Sequence, residues 1–182
     1  VDRIRAINRI LEAPHFNALA RREAPLGRDE DILRAHSEEH LRTIRSMAPE
    51  SGIEYLDPDT VMSPGSLEAA LRAVGAANAA VDAVFRGEAD NAFCAMRPPG
   101  HHAETSRAMG FCLFNQVAIA ARYAQARYDA ERVAVIDFDV HHGNGTQEIF
   151  WPHESLFYGS THQMPLYPGT GEASETGVGN IF

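Results

Sequence analysis

Val135-Ile136-Asp137-Phe138-Asp139-Val140-His141-His142-Gly143-Asn144-Gly145 begins as a β-strand and ends in acids, imidazoles and glycines. Residues 132–139 are apolar on both faces, the pattern of a central parallel strand covered on each side. Residues two apart on a strand project from the same side. Asp137, Asp139 and His141 therefore share one side, where the chain leaves the sheet. Carboxylates and an imidazole converging this way can hold a divalent metal, and the glycines let backbone crowd in close. A strand end that merely caps a turn would explain one aspartate. It does not explain Asp-x-Asp-x-His-His-Gly-Asn-Gly.

Working outward, helical and strand patterns alternate. Ile4, Ile7, Ile10 and Leu11 fall at helical spacing over 3–12, with Asp2 as the N-cap, and the chain opens at Val1 rather than at a Met. Two short helices are predicted over 29–36 and 38–47, the second behind a Ser37 cap. His36 and His40 lie four apart, yet no carboxylate-histidine motif accompanies them, and a structural role, solvent-facing or capping, is expected. Prolines and glycines break the periodicity over 49–65. Ser66 is expected to cap a long alanine-rich helix that stops at Gly87. A short apolar strand over 91–96 comes next, broken by Arg97-Pro98-Pro99-Gly100. Then follow a helix over 111–128, the strand 132–139, a short helix over 146–150 and a strand over 155–161. The closing residues 179–182 read as the start of another strand, so both ends look cut.

This alternation implies an α/β fold with a mostly parallel sheet flanked by helices, in one domain over 1–182. Ligands of such sheets sit beyond the carboxyl ends of the strands. Three ends carry unusual chemistry: after Met96, after Phe138 and after Gly159.

Composition narrows the function classes. The net charge of −9 argues against nucleic acid as a direct partner, because phosphate binding needs a basic face. It would suit a cationic substrate or a basic tail, although solubility alone also explains it. No apolar run approaches a membrane span. The two cysteines, Cys94 and Cys112, make neither a disulfide framework nor a Cys-based zinc site, and an intracellular, cytoplasmic setting is expected. Homo-oligomerisation is left open.

The second informative stretch is Arg97-Pro98-Pro99-Gly100-His101-His102-Ala103-Glu104. Adjacent histidines on a rigid loop offer two imidazoles to one small volume, one as general base and the other as charged partner or acid. Each needs an orienting acceptor, and Asp137 and Asn144 are the candidates.

With both motifs read, the chain resembles the histone deacetylase superfamily, which includes class II histone deacetylases, acetylpolyamine amidohydrolases and bacterial acetoin-utilisation-type proteins. The matching pieces are the residues 97–104, Gly-Phe-Cys-Leu-Phe-Asn at 110–115, Asp-Phe-Asp-Val-His-His-Gly-Asn-Gly-Thr-Gln at 137–147 and Pro-Gly-Thr-Gly at 168–171. The resemblance implies an arginase/deacetylase-like fold, incomplete at its C-terminal side, and a zinc-dependent amidohydrolase acting on acetyl-lysine or acetylated amines. Asp139 and His141 match two of three zinc ligands, and His101 and His102 match the tandem histidines with Asp137 and Asn144 as their partners. Asn144 stands where class I members carry Asp, which points to the class II-like branch. Gly110 and Phe111 match one wall of the acyl tunnel, Tyr167 falls near the opposite wall, and Asp59 matches a rim carboxylate. A potassium ion is implied at Asp137, Asp139, His141, Ser160 and Thr161, and a second cation site at backbone oxygens around Phe150, His153 and Leu156. The family's third zinc ligand and catalytic tyrosine come from loops beyond Phe182, so the 182-residue chain alone is expected to be inactive. The alternative of another class is a non-catalytic module that binds acyl-amines in a degenerate metal site.

Overall fold

The computed structural model describes residues 2–182; Val1, on which the sequence opens, lies outside the described residues. Eleven elements follow in order among them: helix α1 (Asp2–Leu11), a 3-10 turn (Pro14–Phe16), α2 (Asp29–Ile32), α3 (Glu38–Ser46), strands β1 (Glu54–Tyr55) and β2 (Val61–Met62), α4 (Ser66–Phe85), α5 (Gln116–Tyr128), β3 (Val133–Asp137), α6 (Asn144–Phe150) and β4 (Leu156–Ser160).

β3 and β4 pair in parallel, with Val133 opposite Leu156 and Asp137 opposite Ser160. The register places both chemistry-bearing strand ends side by side. The chain end adds a third parallel segment outside β4, because Tyr158 N–H donates to Asn180 O and Phe182 N–H donates to Tyr158 O. The start of another strand, read from residues 179–182, is therefore in place.

The core gathers Ile32, Ile44, Met62, Val74, Phe114, Ile119, Phe150, Leu156 and Tyr158, all essentially inaccessible to solvent. It sits between the helices and one face of the sheet. Val133 and Val135 pack against that core, whereas Ile136 and Phe138 are 63% and 87% exposed. Among the described residues, β3 is covered on the face that carries Val133 and Val135. Asp137 follows Val133 and Val135 on the covered side by the two-residue period of the strand.

Several local expectations need correction. Residues 91–96 form no strand among the described residues, and Phe93 is 73% exposed; an apolar run becomes a strand only when its backbone hydrogen-bonds to a neighbouring strand, and 91–96 makes no such ladder. The N-cap of α4 is Gly65 at φ 86°, not Ser66, whose hydroxyl accepts from Ser63 N–H instead. α5 starts at Gln116, because Phe111 holds φ 66° and the Asn115 side chain caps the helix by accepting from Ala118 N–H at 3.1 Å. α6 begins at Asn144 rather than at 146, so a residue of the motif itself opens the helix. The Ser37 cap is present, with its hydroxyl accepting from His40 N–H. The irregular stretch 49–65 holds the small antiparallel pair of β1 and β2.

His36 and His40 are structural, but buried rather than solvent-facing. Their rings stack at 4.8 Å. His36 Nε2 accepts from Asn115 N–H at 2.8 Å and its Nδ1 lies 3.0 Å from Glu104 O, while His40 Nε2 lies 2.8 Å from Leu113 O. The pair ties the α2–α3 region to Glu104 and to the segment 113–115 ahead of α5. Among the described residues, no helix is long and apolar enough to cross a membrane.

Candidate active site

Asp137 is the hub of the strand end. Its Oδ2 lies 2.9 Å from His101 Nδ1 and accepts from the Tyr158 hydroxyl at 3.0 Å, and its Oδ1 accepts from Asp139 N–H at 3.1 Å. Burial opposes ionisation of this carboxyl, yet the bonds from His101, Asp139 N–H and Tyr158 outweigh it and hold the pKa below the ordinary value. A carboxylate facing Nδ1 fixes the proton there and leaves Nε2 of His101 pointing into the site. Gly143 has to be glycine at this spot: a Cβ would stand 2.4 Å from Asp137 Oδ2 and 2.6 Å from the Tyr158 hydroxyl.

His102 has a different partner. Its Nδ1 lies 2.9 Å from Asn144 Oδ1, and Asn144 Nδ2 donates to Glu104 Oε1 at 2.8 Å. The donor role of Nδ2 identifies the other Asn144 atom as the acceptor, so Nδ1 of His102 carries the hydrogen and Nε2 is free. Burial, and then the adjacent His101, push the His102 pKa down to about 4, against a smaller upward pull from Asn144. The two imidazole centroids are 4.0 Å apart. Gly110 backs them, since a Cβ there would stand 2.4 Å from the His102 ring.

Asp139 and His141 converge beside this pair, with Oδ1 and Nδ1 3.2 Å apart and both side chains partly open to solvent. His141 N–H also donates to Asp139 Oδ1 at 2.9 Å, which sets the turn between them. One carboxylate oxygen and one imidazole nitrogen are the donor types that zinc takes. Among the described residues no group of three or more His, Cys, Asp or Glu side chains gathers at metal-binding distance.

The site wall is built from three loops. Phe111 is 63% exposed, and its N–H donates at 3.1 Å to the buried Thr60 hydroxyl, which itself donates to Asp59 at 3.0 Å. Across the site the Tyr167 ring meets His102 edge-on at 5.0 Å and His141 at 6.4 Å. Burial, then the carboxylates of Asp59 and Asp57, push the Tyr167 hydroxyl up to about 12. Gly110 and Tyr167 thus stand against His102, while Phe111 and Asp59 are joined to each other through Thr60. Ser160 and Thr161 lie at the far side of Asp137: Thr161 N–H donates to Asp137 O at 3.0 Å, and the Ser160 hydroxyl is 2.9 Å from His162 Nδ1.

The structure adds residues that the motifs alone did not single out. Tyr158 supports Asp137, Thr60 joins rim to wall, and His142 is a clamp. His142 Nδ1 is 2.7 Å from the Thr170 hydroxyl and its Nε2 is 2.9 Å from Gln147 Oε1. Gln147 in turn donates to Glu175, which also accepts from Gly171 N–H at 3.1 Å. The clamp holds the Pro168–Gly171 loop that follows Tyr167. Only the doubled histidine hinted at it; Tyr158 lies inside the strand predicted over 155–161, and no motif marks it.

Comparison with known proteins gives the family and the fold. The Histone deacetylase domain family matches residues 1–181. The chain belongs to the histone deacetylase family. This deacetylase-family chain is 44% identical over 165 residues to a histone deacetylase-like amidohydrolase of Pseudomonas aeruginosa, covering 90% of the chain and 43% of that protein. It is 43% identical over 180 residues to a probable deacetylase of Methanothermobacter thermautotrophicus, covering 97% of the chain and 53% of that protein. The solved HDA15 HD domain superimposes with a TM-score of 0.93 at 37% identity, over 99% of the chain and 54% of that structure. The fold is therefore that of a histone deacetylase domain, and the chain spans about half the length of the relatives it matches.

Proposed function

We propose that this chain contributes the tandem-histidine half of the active site of a zinc-dependent amidohydrolase, which removes acetyl or other acyl groups from acetyl-lysine or acetylated amines. The observation that carries the reading is the unlike pairing of two touching imidazoles: His101 on a carboxylate, His102 on a neutral amide. Groups of one kind held in unlike environments are how a site separates base from charged partner. His102, neutral at pH 7 with Nε2 free, takes a proton from the attacking water. His101, backed by Asp137, is the imidazole whose positive charge the site stabilises as negative charge develops on the acyl oxygen.

Asp139 and His141 hold the zinc, which when bound supplies Lewis-acid polarisation of the acyl carbonyl and a more acidic water. Catalytic zinc ordinarily has three protein ligands. The third, and the tyrosine that the family resemblance implies as oxyanion donor, we assign to the part of the relatives that this chain does not span. Phe111 and Tyr167 line the acyl channel, and Asp59 at its rim accepts a hydrogen bond from the substrate. A potassium ion beside Asp137, Ser160 and Thr161 remains part of the proposal, as does a cytoplasmic location, which the free thiols Cys94 and Cys112 suit.

The deciding experiment uses the full-length protein with an acetyl-lysine peptide and an acetylated diamine. Turnover that disappears in His102→Ala and after chelation, and returns with zinc, supports the proposal. Undiminished hydrolysis in His102→Ala would overturn it. Tight binding of the acyl-amine without any turnover would favour the non-catalytic module instead.

A further inference from the structure

Three backbone carbonyls meet at one side-chain atom. Nδ2 of Asn180 lies 2.9 Å from Phe150 O, 3.0 Å from His153 O and 2.7 Å from Leu156 O. The carbonyls belong to the turn that joins α6 to β4, and Asn180 opens the parallel segment outside β4. Phe150 and Leu156 are fully buried and Asn180 is 5% exposed, so water does not share the site freely.

The far end of the carboxamide fixes which atom faces the cage. Oδ1 accepts from Val178 N–H at 3.1 Å, a donor whose hydrogen the backbone places. Reversing the amide would set its oxygen against three carbonyl oxygens and its NH2 against an N–H. Gly177 makes room for this orientation, since a Cβ there would stand 2.6 Å from Oδ1.

These are the same carbonyls at which the family resemblance implies a second monovalent cation. Carbonyl oxygens bind such an ion by replacing its hydration shell, so they must surround the point it occupies. Here that point holds an NH2 group at ordinary N–H···O distances, and a nitrogen and an ion cannot both occupy it. A neutral amide also enters a buried cage at a smaller desolvation cost than a free cation. We infer that the turn over 150–156 does not bind potassium in this protein, and that the Asn180 carboxamide replaces the ion as a tethered donor. The end of α6 is thereby tied to the parallel segment outside β4 whatever the ionic composition.

The test soaks crystals of the full-length protein in thallium(I), an anomalously scattering stand-in for potassium, and scores this turn alone. No peak in contact with the carbonyls of Phe150, His153 and Leu156 is expected in the unaltered protein, and a peak is expected in Asn180→Gly. A peak there in the unaltered protein, with Asn180 swung out or its oxygen turned to the ion, overturns the inference. Melting in potassium chloride against choline chloride gives an independent reading should Asn180→Gly fail to fold. Asn180→Asp puts a carboxylate into the cage, and its melting temperature should gain ~4 °C more from potassium than that of the unaltered protein. An equal potassium response in the two proteins also overturns it.

Discussion

The hydroxyl of Tyr158 donates at 3.0 Å to the same Asp137 oxygen that pairs with His101 Nδ1. A tyrosine from the core therefore sets the carboxylate that orients a site imidazole. Tyr158 also accepts from Gly143 N–H at 3.0 Å, so the hydroxyl closes the motif loop onto β4. Tyr158→Phe removes one acceptor and one donor in a buried place. Stability should fall by about 1–3 kcal/mol and turnover of the full-length protein by roughly tenfold, read by thermal melting and steady-state kinetics. Wild-type turnover in Tyr158→Phe would show that Asp137 needs no such support.

Asn144 keeps His102 in the Nδ1–H form, and that tautomer leaves Nε2 unprotonated. Asn144→Ala frees the ring to take the other tautomer, with an expected loss of about 10²-fold or more in kcat. Asn144→Asp preserves the acceptor for His102 but loses the donor to Glu104, so activity between the wild type and Asn144→Ala is expected. Nitrogen NMR of His102 checks the cause directly: a pyridine-type Nε2 signal in the wild type, lost in Asn144→Ala and kept in Asn144→Asp.

Metal affinity should follow Asp139 and His141. Asp139→Ala removes one of the two converging donors, and zinc content of the full-length protein after dialysis should drop from one equivalent toward none. Elemental analysis measures this without reference to activity. Retention of a full equivalent would move the metal site elsewhere.

The rim depends on a residue that touches no substrate. Thr60 accepts from Phe111 N–H and donates to Asp59, so Thr60→Val loses both while filling the same space. A several-fold rise in KM with kcat little changed is expected, because the wall and rim move while the tandem histidines stay. A selective loss of kcat would contradict this placement.

Acid should unfold the protein through His36. Burial, then His40, lower its pKa from 6.5 to about 3, so the folded form holds it neutral while the unfolded chain takes up a proton. The unfolded state thus binds more protons between these values, and stability rises with pH across that window. Above pH 6.5 the contribution is complete. Below it, stability should fall by up to about 1.4 kcal/mol per pH unit from this residue, with His40 adding in the same direction. Denaturant melts at pH 7 and pH 5 measure the slope, and His36→Gln should flatten it.

Much of the site could be read from the order of residues. The two-residue period put Asp137, Asp139 and His141 on one side, and the structure brings them to one strand end with Ser160 alongside. The spacing could not show who supports whom. Tyr158, Thr60 and His142 act across 15 to 51 residues of chain, through contacts that appear only once β3, β4 and the loops are packed. The strand expected over 91–96 was misread for a related reason: apolar character makes a segment eligible for a sheet, but a neighbouring strand decides whether it pairs.

By itself the sequence determined the α/β alternation, the metal-type donors at one strand end and the tandem histidines, because periodicity and chemical type are local properties. Tertiary structure alone decided that Tyr158 braces Asp137, that His142 clamps the loop after Tyr167, and that Asn180 sits in a cage of three carbonyls. Those facts depend on which distant groups are packed together, since burial and hydrogen-bond partners set both the protonation of a side chain and what it can bind.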